Sequence, residues 1–197
     1  DRVVENIRVD VHGGTLEVYS KSRRSWIGKF FHDNNDPEVK IIIMTKKLSE
    51  AEFNGTGSVE IEPLDQDDFD LTINGPIDSY ISGDVKNLHI TNNGPGDIEM
   101  DNMHGESLDI ANRGPGDIKA GGKYTKTDIT ILGPGDFRAR RFESDYLKAR
   151  IVGPGNIEMQ VNEEINARFI GPGNVSYTGN ARIVNDSGIG PGRVRRM

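Results

Sequence analysis

The chain has 197 residues and a net charge of −7, from 24 Lys and Arg against 31 Asp and Glu. That is enough length for one domain with a real core, without the basic surplus a general nucleic-acid binder needs. Cys is absent, which excludes disulfide scaffolds, thiolate metal sites and Cys nucleophiles. Hydrophobic content is only 34%, with 24 Gly and 9 Pro, and no apolar run reaches the roughly 18 residues of a membrane span.

In chain order, Val9–Val11 and Leu16–Tyr19 alternate polar and apolar residues around His12-Gly13-Gly14-Thr15, the pattern of a β-hairpin. A polar insertion over 20–38 follows, then Val39-Lys40-Ile41-Ile42-Ile43-Met44 reads as a strong strand. Leu48–Phe53 leads into Gly55-Thr56-Gly57, the first of a series of corners. With no linker composition between these segments, 1–50 reads as opening strands and 51–197 as the regular repeats of one domain.

The series dominates the rest of the chain. Gly-Pro-Gly occurs at 94–96, 114–116, 133–135, 153–155, 171–173 and 190–192, with degenerate copies at 55–57 and 75–77. Successive first glycines are 20, 19, 20, 19, 20, 18 and 19 residues apart. Fifteen of the 24 glycines belong to this element, so the repeat explains the glycine excess. Each corner leads into an alternating strand such as Asp97-Ile98-Glu99-Met100 or Asp136-Phe137-Arg138-Ala139, and a second alternating stretch precedes the next corner. No segment carries an apolar stripe of helical period. A corner of one kind every 19–20 residues means that the chain winds in one sense, each coil pairing in parallel with the next. The expectation is an all-β, single-stranded parallel β-helix. Ile98, Ile118, Phe137, Ile157, Val175 and Val194 should form one inward column, with Leu108, Ile110, Leu147 and Ile151 opposite. Proline at the second corner position suggests a type II turn, with positive φ at Gly96, Gly116, Gly135, Gly155 and Gly173. Alanine should then be tolerated less there than at Gly105.

These repeats, the lead-in Ile7–Val11 and Leu16–Tyr19, and Gly173-Asn174-Val175-Ser176-Tyr177-Thr178-Gly179 resemble the family of auto-transporter adhesin head GIN domains, found in exported proteins of Bacteroidetes. The family usually has Ser where this chain has Pro between the glycines, a difference in turn chemistry. The resemblance implies a right-handed β-helix, an additional strand pair ahead of residue 1, and export to the cell surface, outer membrane or periplasm. It implies adhesion and brings no catalytic residues.

Among candidate sites, the insertion holds Trp26, Phe30 and Phe31 beside Arg23 and Arg24, aromatics and cations together in an otherwise acidic chain. Such a set suits sugar stacking or a protein partner, or caps the end of the core. The corner row Asp97, Asp117 and Asp136, continuing as Asn156 and Asn174, would stack into a carboxylate ladder able to attract a cation, or would bond its own turns and face water. Asp65, Asp67, Asp68 and Asp70 form a second acidic cluster without the Gly and Glu of a calcium loop. His12, His32, His89 and His104 lack metal-ligand spacing. Asp186-Ser187-Gly188 matches an aspartic-protease tripeptide that has no second copy, and reads as a turn. No cofactor pattern is present. The resemblance implies an adhesin-like module, and the residues add a non-enzymatic surface that would bind protein or surface glycan, with self-association through its N-terminal end. An assembly component and a polysaccharide-acting enzyme are the alternatives.

Overall fold

The structure, a computed structural model, describes residues 7–20 and 40–197. The chain divides into two units, Asp1–Thr45 and Lys46–Met197. In the first, β1 (Ile7–His12) and β2 (Thr15–Ser20) form an antiparallel sheet of their own, with Ile7 opposite Ser20 and His12 opposite Thr15. Gly13 and Gly14 join them at φ of 58° and 86°. Positive φ at both central residues makes this a type I′ turn, whose twist suits a two-residue hairpin.

The strand expected over Val39–Met44 does not form across its described residues, 40–44. Ile41, Ile42, Ile43 and Met44 are 51–93% exposed. A β-branched run has the propensity for a strand, but the propensity acts only where a neighbouring strand completes the ladder.

The second unit is a parallel β-helix of about eight turns. Strand β3 (Glu50–Asn54) opens it, and six long strands follow. They are β4 (Gly57–Asn74), β5 (Ile77–Asn92), β6 (Ile98–Asn112), β7 (Ile118–Leu132), β8 (Phe137–Val152) and β9 (Ile157–Ile170). Each makes most of one coil and pairs in parallel with the next. The coil after β9 is made by β10 (Val175–Thr178) and β11 (Arg182–Ile189), and β12 (Val194–Arg196) begins another by pairing in parallel with β10. Register shifts interrupt the pairing of each long strand with the next, mostly in the first half of the strand. In β6 the shift falls around Asn102, whose φ of 51° lies in the left-handed region that Asn adopts more readily than most residues.

Stacking in register sets the core. Ile98, Ile118, Phe137, Ile157, Val175 and Val194 are successive ladder partners, all at most 8% exposed. Leu108, Thr127 and Leu147 form a second column and Ile110, Ile129 and Ala149 a third. Between them Tyr124, Phe137 and Phe142 make an aromatic cluster, with Phe142 stacked on Tyr124 at 5.9 Å and edge-on to Phe137 at 6.1 Å. Burial pushes the Tyr124 phenol well above its ordinary pKa, and its hydroxyl donates to the Val85 carbonyl at 2.9 Å.

The corners differ from the type II expectation. Positive φ falls on the first glycine of the corner, at Gly75, Gly133, Gly153, Gly171 and Gly190, and not on Gly96, Gly116, Gly135, Gly155 or Gly173. What requires glycine at the later position is the coil beneath: a Cβ on Gly116 would stand 2.0 Å from the carbonyl oxygen of Gly96. Gly105 is no more tolerant, since its Cβ would meet the Val85 oxygen at 2.0 Å and the Tyr124 ring at 2.4 Å.

Two corners, Gly94 and Gly114, do without positive φ at the first glycine. Two residues earlier each has a fully buried asparagine where the other corners have Phe53, Ile73, Ile131, Ile151, Phe169 or Gly188. Asn92 accepts from the Gly94 N–H at 3.0 Å and donates to the Gly96 carbonyl at 3.1 Å, while Asn112 donates to Gly116 at 2.7 Å. The two amides also bond each other at 3.3 Å. A side chain that serves the turn's own backbone selects a second corner geometry. Asn112→Ala should therefore cost about 1–3 kcal/mol, the penalty for stranding buried polar partners, read as a lower urea midpoint with unchanged slope.

Candidate functional site

Trp26, Phe30, Phe31, Arg23 and Arg24 lie outside the described residues, as does His32. The acidic row is described in full. Each carboxylate or amide accepts from the backbone N–H at the same position of the next coil. Asp78 receives Asp97 at 2.9 Å, Asp97 receives Asp117 at 2.8 Å, Asp117 receives Asp136 at 2.9 Å, and Asp136 receives Asn156 at 2.8 Å. Asn156 receives Asn174 at 3.2 Å and so continues the row. These bonds reach the neighbouring coil rather than the residue's own turn, so the ladder fastens corners where regular strand pairing stops. Its charge is met by Arg138, which bridges Asp117 at 2.6 Å and Asp136 at 3.0 Å. The charge of Asp117, then the hydrogen bond the guanidinium donates to Asp136, hold Arg138 above its ordinary pKa. Among the described residues, no group of three or more His, Asp or Glu is arranged to hold a metal ion. Asp97, Asp117 and Asp136 thus stand in a structural ladder with a cation already supplied by the chain.

The second acidic cluster has a different setting. β3 covers β4 only from Asp70 to Asn74, so among the described residues Gly57–Phe69 has no strand on that side. This uncovered length carries Pro63, Asp65, Asp67 and Asp68. Proline and like charges hinder pairing by another such edge. Beside it, Asp65, Asp67, Asp84, His104 and Glu106 line a shallow depression of about 440 Å³. His104 faces Asp84 at 3.2 Å and Lys86 faces Glu106 at 3.6 Å, so part of the lining is paired across coils. The remaining histidines are apart, His89 beside Asp109 at 3.7 Å and His12 in the hairpin.

Asp186-Ser187-Gly188 belongs to strand β11, not to a turn. A register shift puts Asp186 opposite the buried Ala167, where its carboxylate accepts from the Val194 N–H at 3.3 Å.

One surface escaped the motif reading. The residue just before each corner faces outward, and its chemistry changes along the helix axis. In the first coils these residues are Asn54, Asn74, Asn93 and Arg113, each bonded to its predecessor at 2.7–3.1 Å. In the last coils they are Leu132, Val152, Ile170 and Ile189, successive ladder partners. Leu132, Ile170 and Ile189 are 37%, 44% and 77% exposed. Exposed prolines Pro134, Pro154, Pro172 and Pro191 follow them around the corner. On the strand side stand exposed Arg150 and Arg168, which no carboxylate engages among the described residues. Charge divides along the axis in the same way. Residues 46–132 hold 7 Lys and Arg against 17 Asp and Glu, net −10, whereas 133–197 hold 10 against 7, net +3. A comparison of the corner-preceding residues across all repeats would have found this column.

A family model described as "Putative auto-transporter adhesin, head GIN domain" matches residues 1–181. The chain belongs to that family. The chain is also similar to solved structures, over the whole of this chain and 80% of each of the others. One is described as a putative lipid binding protein from Parabacteroides distasonis, at 20% identity and a TM-score of 0.79. A second, from the same organism, is described as a putative adhesin, at 19% identity and a TM-score of 0.79. A third, from Parabacteroides merdae, is also described as a putative adhesin, at 18% identity and a TM-score of 0.78. At these identities the likeness concerns the fold. No curated protein matches the chain. No helix among the described residues is long and apolar enough to cross a membrane.

Proposed function

We propose that this chain is a non-enzymatic, exported, adhesin-like module that holds a protein or glycan at a cell surface. Membership in a GIN-domain adhesin family supports the class, as do the names of its solved structural neighbours. The observation that carries the reading is the outward column Leu132, Val152, Ile170 and Ile189, aliphatic side chains on a rigid scaffold where the core has no use for them. Exposed apolar residues in a contiguous row mark contact surfaces. The protein or glycan contact itself falls to the aromatic and basic segment with Trp26, Phe30, Phe31, Arg23 and Arg24, whose residue types suit sugar stacking and protein anchoring.

Purified protein on glycan arrays and immobilised extracellular proteins tests it. The expected result is binding that Trp26→Ala with Phe31→Ala weakens about tenfold or more, the loss of one or two aromatic anchors. Asp117→Asn with Asp136→Asn should leave that binding at the parent level. Polysaccharide cleavage by the parent, lost in the Asp117/Asp136 variant, would replace the adhesin reading with an enzymatic one.

A further inference from the structure

From the outward corner column and its arginines, we propose that the C-terminal half of the solenoid docks on an anionic lipid surface. This rests on the reading of the chain as a binding module and names what one of its faces binds. The column puts four aliphatic rungs about 4.8 Å apart, a line about 15 Å long, with a proline beside each rung. Arg150 and Arg168 lie exposed alongside, on the half of the solenoid whose net charge is +3.

The occupant follows from shape and charge. A corner of a solenoid is convex, so it cannot enclose a sugar or an extended peptide, which need a groove. It can enter a surface that yields, and lipid headgroups yield. A second copy shares the rung spacing but does not fit. Side by side in parallel, two copies place their positive halves together. In the antiparallel sense the aliphatic rungs meet the polar column of Asn54, Asn74 and Asn93. Aliphatic side chains at the acyl boundary, with guanidinium groups at the phosphates, are the two signals that together give a peripheral protein stable membrane contact.

Co-sedimentation with phosphatidylcholine vesicles, with and without 30 mol% phosphatidylglycerol, tests the proposal on the full chain. Binding should be at least tenfold tighter to the anionic vesicles and should weaken as salt rises. Ile170→Ser with Ile189→Ser should lose at least tenfold, and Arg150→Gln with Arg168→Gln about 30-fold, each such cation near an anionic surface contributing about a factor of five. Both pairs face outward, so thermal melting of each variant should match the parent, which separates lost docking from lost folding. Anionic-vesicle binding that both variants retain would overturn the assignment. So would ridge-dependent binding to an immobilised Glu–Leu copolymer without vesicle binding, which points to an acidic protein segment. Absent vesicle binding alongside intact glycan or protein binding sinks this proposal alone, whereas absence of all three sinks the binding-module reading as well.

Discussion

Phe142→Ala should remove about 3–5 kcal/mol of stability, the range for deleting a large aromatic from a closed core. Phe142 is fully buried and holds two rings at once, stacked on Tyr124 and edge-on to Phe137. Its loss leaves a cavity that main chain cannot collapse into, because the neighbouring coils are fixed by their ladders. Chemical denaturation should show the lower midpoint. Hydrogen exchange should rise first in β7 and β8, since a solenoid loses stability by neighbouring coils rather than all at once. Parent-like stability would mean that the aromatic cluster is not the packed centre described above.

Gly116→Ala should cost about 3 kcal/mol, the upper end of the range for overpacking, for a different reason. The added methyl would stand 2.0 Å from the Gly96 oxygen, 2.8 Å from the Gly96 carbonyl carbon and 3.0 Å from the Pro95 oxygen. Those are backbone atoms, so the only relief is for adjacent coils to separate at a corner. Gly121→Ala is the control. Its Cβ would meet nothing closer than an Asp101 carboxylate oxygen at 3.3 Å, and its φ is outside the strained region. That variant should lie within about 1 kcal/mol of the parent. Equal thermal melting of the two variants would show that close coil approach is not what fixes glycine at the corners.

The carboxylate row shows how a correct position can carry a different role. Its spacing brings Asp97, Asp117 and Asp136 to one line, and stacked carboxylates without partners would repel. The bonds that settle the role come from the backbone of the next coil and from Arg138, 21 residues from Asp117 in sequence. Neither is visible from the row itself. Surface pairs of this kind add little stability singly, so the backbone bonds matter more than the charges.

Local residues alone determined much of this protein. The Gly-Pro-Gly period, the alternation on either side of each corner and the hairpin glycines establish coil length, inward faces and the antiparallel start, because each depends on sterics or on a side-chain period within a few residues. Contacts about one coil apart decided the rest. The run at Lys40–Met44 has strand chemistry and forms no strand, since a strand needs a partner. Positive φ moved to the first corner glycine, and glycine at the later position answers to a carbonyl from the coil beneath. Asn92 and Asn112 switch the corner geometry through bonds within four residues, and stacking buries the two side chains and bonds them to each other across one coil. The outward line from Leu132 to Ile189 exists only when the coils are stacked, because residues about 19 apart become neighbours about 4.8 Å apart only through the parallel ladder.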